Sequence, residues 1–149
     1  MLDVELRSGL HGLLQDKLLC NLIVVVKDRQ FHVHKNVMAA VSDYCKDMLT
    51  GGMKESNSDR VEIHGFDSDV FSSLIELIYT GDEKILQDNT EQLLELSDLL
   101  LIPAVVEGCK NVIVDKLCAS KPLAHHFGLR CLLSLIFIHL THPHQSPLL

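Results

Sequence analysis

The 149-residue sequence lacks the motifs on which most enzyme chemistry is built: it contains no G-x-S-x-G elbow, no Walker phosphate loop and no H-E-x-x-H helix. With no nucleophile beside a base and no phosphate cradle, no residue set is left to carry catalysis, and a non-catalytic protein without a cofactor is expected. Basic charge is also scarce. Thirteen Lys and Arg stand against twenty Asp and Glu, a net charge of −7. That balance repels phosphate backbones and removes the counterion-release term behind non-specific nucleic-acid binding, so no nucleic-acid partner is expected. No apolar run reaches the about 18 residues that cross a bilayer. Asp3 and Glu5 stand where a secretory signal has its basic region. No membrane partner is expected, and the setting is cytosolic or nuclear. Cysteine is present but unpaired in pattern. Cys20, Cys45, Cys109, Cys118 and Cys131 are odd in number, form no C-x-x-C pair and sit mostly among apolar neighbours, as buried thiols in a reducing compartment do.

What the chain does have is apolar periodicity. At 47% hydrophobic residues it can bury one core, and it is too short for two ordinary domains. Leu6, Leu10, Leu13, Leu14 and Leu18 recur at helical spacing, which predicts a first helix with a leucine face that needs a partner. The run Asn21 to Lys27, "NLIVVVK", followed after Asp28-Arg29 by "QFHVH", predicts a tight hairpin with a buried first strand. "KNVMAAVSDYCKDMLTGG" returns to helix, with Ser42 a cap for a second short helix and Gly51-Gly52 its stop. "RVEIHG" alternates as a short strand. Asp67 opens a helix carrying Val70, Phe71, Leu74, Ile75 and Ile78 and ending at Gly81. Asn89 or Thr90 caps the next helix, which presents Leu93, Leu94, Leu96 and Leu100, and Pro103 suits the first turn of one more. Helices around a small sheet of short strands make an α+β domain.

Composition changes near residue 120. Residues 1–120 hold eleven basic and all twenty acidic side chains, net −9, whereas residues 121–149 hold only Lys121 and Arg130, net +2. We therefore expect a domain over 1–120 and a distinct tail over 121–149, with five of the nine histidines, the run "CLLSLIFIHL" and a poorly ordered end. Neither histidine group completes a metal site. His32-x-His34 has no second Cys or His pair nearby, and His139, His142 and His144 are accompanied by no acid or suitably spaced cysteine, so no metal is expected.

Three stretches in order, "LLCNLIVVVKDRQFHVHKNVMAAVSDYCKDMLTGGMKES", "VEIHGFDSDVFSSLIELIYTG" and "NTEQLLELSDLLLIPAVVEGC", resemble the BTB/POZ domain, most of all that of the kelch-like adaptors, over about residues 6–118. The resemblance implies a BTB/POZ fold and a homodimerising protein-interaction module. Its partners would be a second copy or other BTB proteins, and the cullin scaffold of a ubiquitin ligase. The dimer interface would take Leu6, Leu10, Leu13 and Leu14 from the first helix. Asn21 and Lys35 would join it where family members usually pair an aspartate with a basic residue; Asn21 departs from that pattern and leaves a hydrogen bond at most. Met53-Lys54-Glu55 matches the hydrophobic-x-Glu element that helps dock the third cullin. Tyr79 is a second candidate for that surface, although an aromatic there is also a good core residue. On the residues alone, the Gly51-Gly52 pair frees the backbone so that Met53 is an apolar knob and Glu55 a carboxylate for a partner; a solvated turn with Met53 folded inward stays open. The continuation into a further helical domain and a β-propeller is not found, as in a truncated or alternatively ended adaptor that competes with full-length ones. The rival reading is a transcription-regulator BTB module that recruits corepressors.

Overall fold

A computed structural model describes residues 2–51 and 59–119; Met53, Glu55, Cys131, the tail histidines and the apolar tail run lie outside them. The described residues form α1 (Leu2–Gln15), β1 (Leu22–Val26), β2 (Arg29–Val33), α2 (Lys35–Val41), α3 (Asp43–Thr50), β3 (Arg60–Ile63), α4 (Ser68–Thr80), α5 (Ile85–Asp88), α6 (Thr90–Leu99) and α7 (Pro103–Ala119). Residues up to Cys109 make one compact unit and those from Lys110 a second. The α+β class expected from the sequence is the one observed, with helices clustered about a three-stranded sheet of order β2-β1-β3.

β1 is the centre of that sheet. It pairs antiparallel with β2, Val24 opposite Phe31, and parallel with β3, Val24 opposite Val61. Its β-branched run is not buried on both sides: Leu22, Val24 and Val26 are buried while Ile23 and Val25 are half-buried, the alternation of a strand with one face on the core. Helix boundaries follow local chemistry. Ser42 sits between α2 and α3 in extended backbone and its Oγ accepts the Cys45 N–H at 3.0 Å, so one helical stretch becomes two. Asp67 caps α4 by accepting from Asp69 N–H. Gly81 ends α4 in the left-handed region at φ 71°, a conformation that favours glycine over any residue with a Cβ. The short α5 has no sequence signal of its own.

The core is assembled from Leu22, Val24, Val26 and Val33 of the sheet with Phe71, Leu74, Leu93 and Leu96 from α4 and α6, and Leu100 and Ile102 from the link between α6 and α7. Phe31 and Phe71 meet edge to face with ring centroids 4.9 Å apart, and Arg29 lies 5.0 Å over the Phe31 ring. The hairpin turn then holds the start of α4 through Lys27 Nζ to Asp67 at 3.1 Å and Arg29 to Asp69 at 2.7 Å.

Candidate interaction surface

α1 is the one long helix of the described residues with no buried residue. It packs on α4, and the contact includes polar groups: His11 Nε2 lies 3.1 Å from Glu76 Oε1 and Arg7 lies on Gly81. A cavity of about 260 Å³ lined by Val4, Arg7, Ser8, His11, Tyr79 and Thr80 remains between the two helices. The leucine face is therefore not used up. Leu6 is 65% exposed and Leu2 76%, while Leu10, Leu13 and Leu14 are half-buried. Each such side chain contributes roughly 1.5–3 kcal/mol when it goes from exposed to fully buried.

The chain leaves α1 through a Schellman turn in which Leu18 N–H donates to Leu13 C=O at 2.8 Å and Lys17 N–H to Leu14 C=O at 3.1 Å. Lys17 takes the left-handed position usually given to glycine, φ 53°, and Leu19 follows at φ 58°. Leu18 and Leu19 are both exposed, so the connector too leaves apolar side chains in contact with solvent.

His34 fixes the far end of that connector. Its Nε2 lies 2.9 Å from Leu18 C=O, an acceptor only, so Nε2 carries the proton and Nδ1 accepts the Tyr79 hydroxyl at 2.7 Å. The same phenol oxygen accepts His34 N–H at 3.2 Å. Tyr79 is 2% exposed. Of its two readings, surface contact beside Met53 or core aromatic, the geometry has the second, because ring and hydroxyl are both enclosed; burial pushes the phenol above its ordinary range. His34, with both ring nitrogens engaged, is equally unavailable as half of a His32-x-His34 metal pair. Among the described residues no three His, Cys, Asp or Glu side chains converge as a metal site.

Asn21 and Lys35 do meet, but not as amide and ammonium. Asn21 Oδ1 accepts the Lys35 backbone N–H at 2.8 Å and so satisfies the open first turn of α2. The Lys35 ammonium turns instead to Asp59 Oδ1 at 2.6 Å. Asp59, whose C=O also accepts Ile23 N–H at 2.7 Å, precedes β3 and was not singled out in the sequence. A pair 24 residues apart leaves no periodic trace; the only local sign is an acid at a strand start. The four described cysteines are free thiols, of which burial pushes Cys109 up to about 11, a protonated and unreactive group at neutral pH. Short of the stretch that carries Met53 and Glu55, α3 closes with Gly51 N–H on Asp47 C=O at 2.8 Å.

This arrangement of hairpin, parallel third strand and helical cluster has known counterparts. The family model for the BTB/POZ domain matches residues 10–117. The chain belongs to the BTB/POZ family. Kelch-like protein 21 of Danio rerio is 32% identical over 120 residues, 80% of this chain and 20% of that protein. Kelch-like protein 28 of Homo sapiens is 39% identical over 105 residues, 70% of this chain and 18% of that protein. The chain thus spans about a fifth of the length of these kelch-like relatives. Among solved structures, the BTB domain of zebrafish PATZ1 matches with a TM-score of 0.65 at 27% identity, covering 74% of this chain and 90% of that one. The BTB domain of human gigaxonin shares the fold with a TM-score of 0.61 at 21% identity, covering 72% and 86%. The sequence resemblance to the BTB/POZ domain of kelch-like proteins is thereby established, and with it a BTB protein-interaction module.

Proposed function

We propose that this BTB module self-associates through α1 and binds the cullin scaffold of a ubiquitin ligase through Met53 and Glu55, with no catalytic step of its own. The observation that carries self-association is the uncovered apolar side of α1, with Leu2 and Leu6 exposed in a helix that has no fully buried residue. A face of this kind on a soluble domain is the mark of an interface, and in an isologous pair the same helix supplies both sides. The cullin reading is supported by the hydrophobic-x-Glu match at Met53-Lys54-Glu55 and by the kelch-like relatives. Added to full-length kelch-like adaptors, the chain competes for the same cullin surface.

A titration with the purified third cullin tests this. Met53→Asp and Glu55→Lys each remove one element of an interface anchor worth about 2 kcal/mol or more, so affinity drops roughly thirtyfold with an unchanged melting temperature. Undiminished binding by both variants returns the stretch to a solvated turn. Capture of a corepressor in place of cullin transfers the module to transcriptional regulators.

A further inference from the structure

We propose that the cavity between α1 and α4 is a binding site for a small aliphatic carboxylate, which Arg7 and the Ser8 hydroxyl hold over a wall of carbon. The site is separate from the self-association and cullin readings, and its test depends on neither.

The cavity takes Val4, Arg7, Ser8 and His11 from α1 and Tyr79 and Thr80 from the end of α4. The four α1 residues recur at i, i+3, i+4 and i+7, one stripe of the helix. Leu2 and Leu6 fall on the other side of that helix, so the cavity and the exposed leucines are different surfaces of α1.

Most of the polar groups around the cavity are already committed. Tyr79 gives its hydroxyl to His34 Nδ1 at 2.7 Å, and His11 Nε2 is turned to Glu76 Oε1 at 3.1 Å. Thr80 Oγ1 donates to Glu76 C=O at 2.7 Å and accepts Asp82 N–H at 3.1 Å. What Tyr79 and Thr80 leave for an occupant, together with Val4, is carbon surface. Arg7 differs. Among the described residues no carboxylate pairs with its guanidinium, whereas Lys27, Arg29 and Lys35 each have one. A guanidinium presents its N–H groups as a planar fork that fits a carboxylate through two parallel hydrogen bonds. Ser8, the next residue of the lining, adds a hydroxyl donor.

These features select the occupant. At about 260 Å³ the cavity is smaller than the roughly 300–1,000 Å³ that houses a drug-sized ligand, so the ligand is short. A cation is repelled by Arg7, and a bare inorganic anion leaves the carbon wall in water. An aliphatic chain ending in one carboxylate answers both the wall and the guanidinium.

Amide chemical shifts of the nitrogen-labelled 149-residue chain, followed as hexanoate is added, test the site, with hexylamine as the control of equal chain length and opposite charge. Saturable shifts along Val4 to His11 and Tyr79 to Gly81, with a dissociation constant of about 1 mM or tighter, are expected for hexanoate and none for hexylamine. Arg7→Gln is expected to weaken hexanoate binding about tenfold or more, because it removes a charge-assisted pair. Ser8→Leu fills the cavity with Arg7 still in place and is expected to abolish the shifts. Thermal melts record the folding of both variants. Ser8→Leu puts a good helix former at an exposed position and keeps the test valid should α1 need Arg7 to stay on α4. Shifts that do not saturate by about 10 mM hexanoate, hexylamine that binds as well, or wild-type affinity in either variant overturns the proposal.

Discussion

At the scale of single residues, the most constrained side chain is Tyr79. Its hydroxyl is both donor to His34 Nδ1 and acceptor from His34 N–H, and through His34 Nε2 it reaches the Leu18 carbonyl behind α1. Removing the hydroxyl strands two polar groups of a residue that is itself buried, and an unsatisfied buried group costs about 1–3 kcal/mol. Tyr79→Phe is therefore expected to lower the unfolding free energy by that amount in urea titrations; a change under about 0.5 kcal/mol would mean that water replaces the phenol. Little of this was legible in the sequence. An aromatic in Ile-Tyr-Thr-Gly suits the core and the surface equally, and the choice is made by His34, 45 residues away in the chain. The Lys35–Asp59 pair was hidden for the same reason, whereas Ser42 and Asp67, whose partners lie two or three residues on, were readable as caps.

At the scale of elements, periodicity located the helices and strands, and the tertiary contacts decided which faces they use. The leucines of α1 pointed to a helix that needs a partner, but they did not reveal that Arg7 and His11, residues that periodicity assigns to no apolar face, also reach the α4 end of the contact. The start of α4 offers a test of how the hairpin holds it. Asp67 is held below the ordinary carboxylate range, first by the hydrogen bond from Lys27 and then by the Asp69 N–H. A folded-state pKa below the unfolded value of about 3.9 means that the unfolded chain takes up the proton more readily, so the contribution is full above that pH and is lost as pH falls through the folded value. Melting temperatures of wild type and Asp67→Asn should differ at neutral pH and converge below about pH 4. A gap that does not change with pH would assign the effect to the shape of the cap and leave the charge without a part in it.

At the scale of the whole molecule, the apolar residues divide between a core that closes and a surface that does not. Phe71, Leu74, Leu93 and Leu96 are completely enclosed, whereas α1 and its connector leave Leu2, Leu6, Leu18 and Leu19 in contact with solvent. Whether a second copy covers α1 is read from the mass of the chain in solution. Light scattering at micromolar concentration is expected to give twice the mass of one chain. Leu6→Asp, at a position exposed in the single chain, is expected to bring the mass down to that of one chain without lowering the melting temperature of the monomer. A wild type that scatters as a single chain would contradict the account.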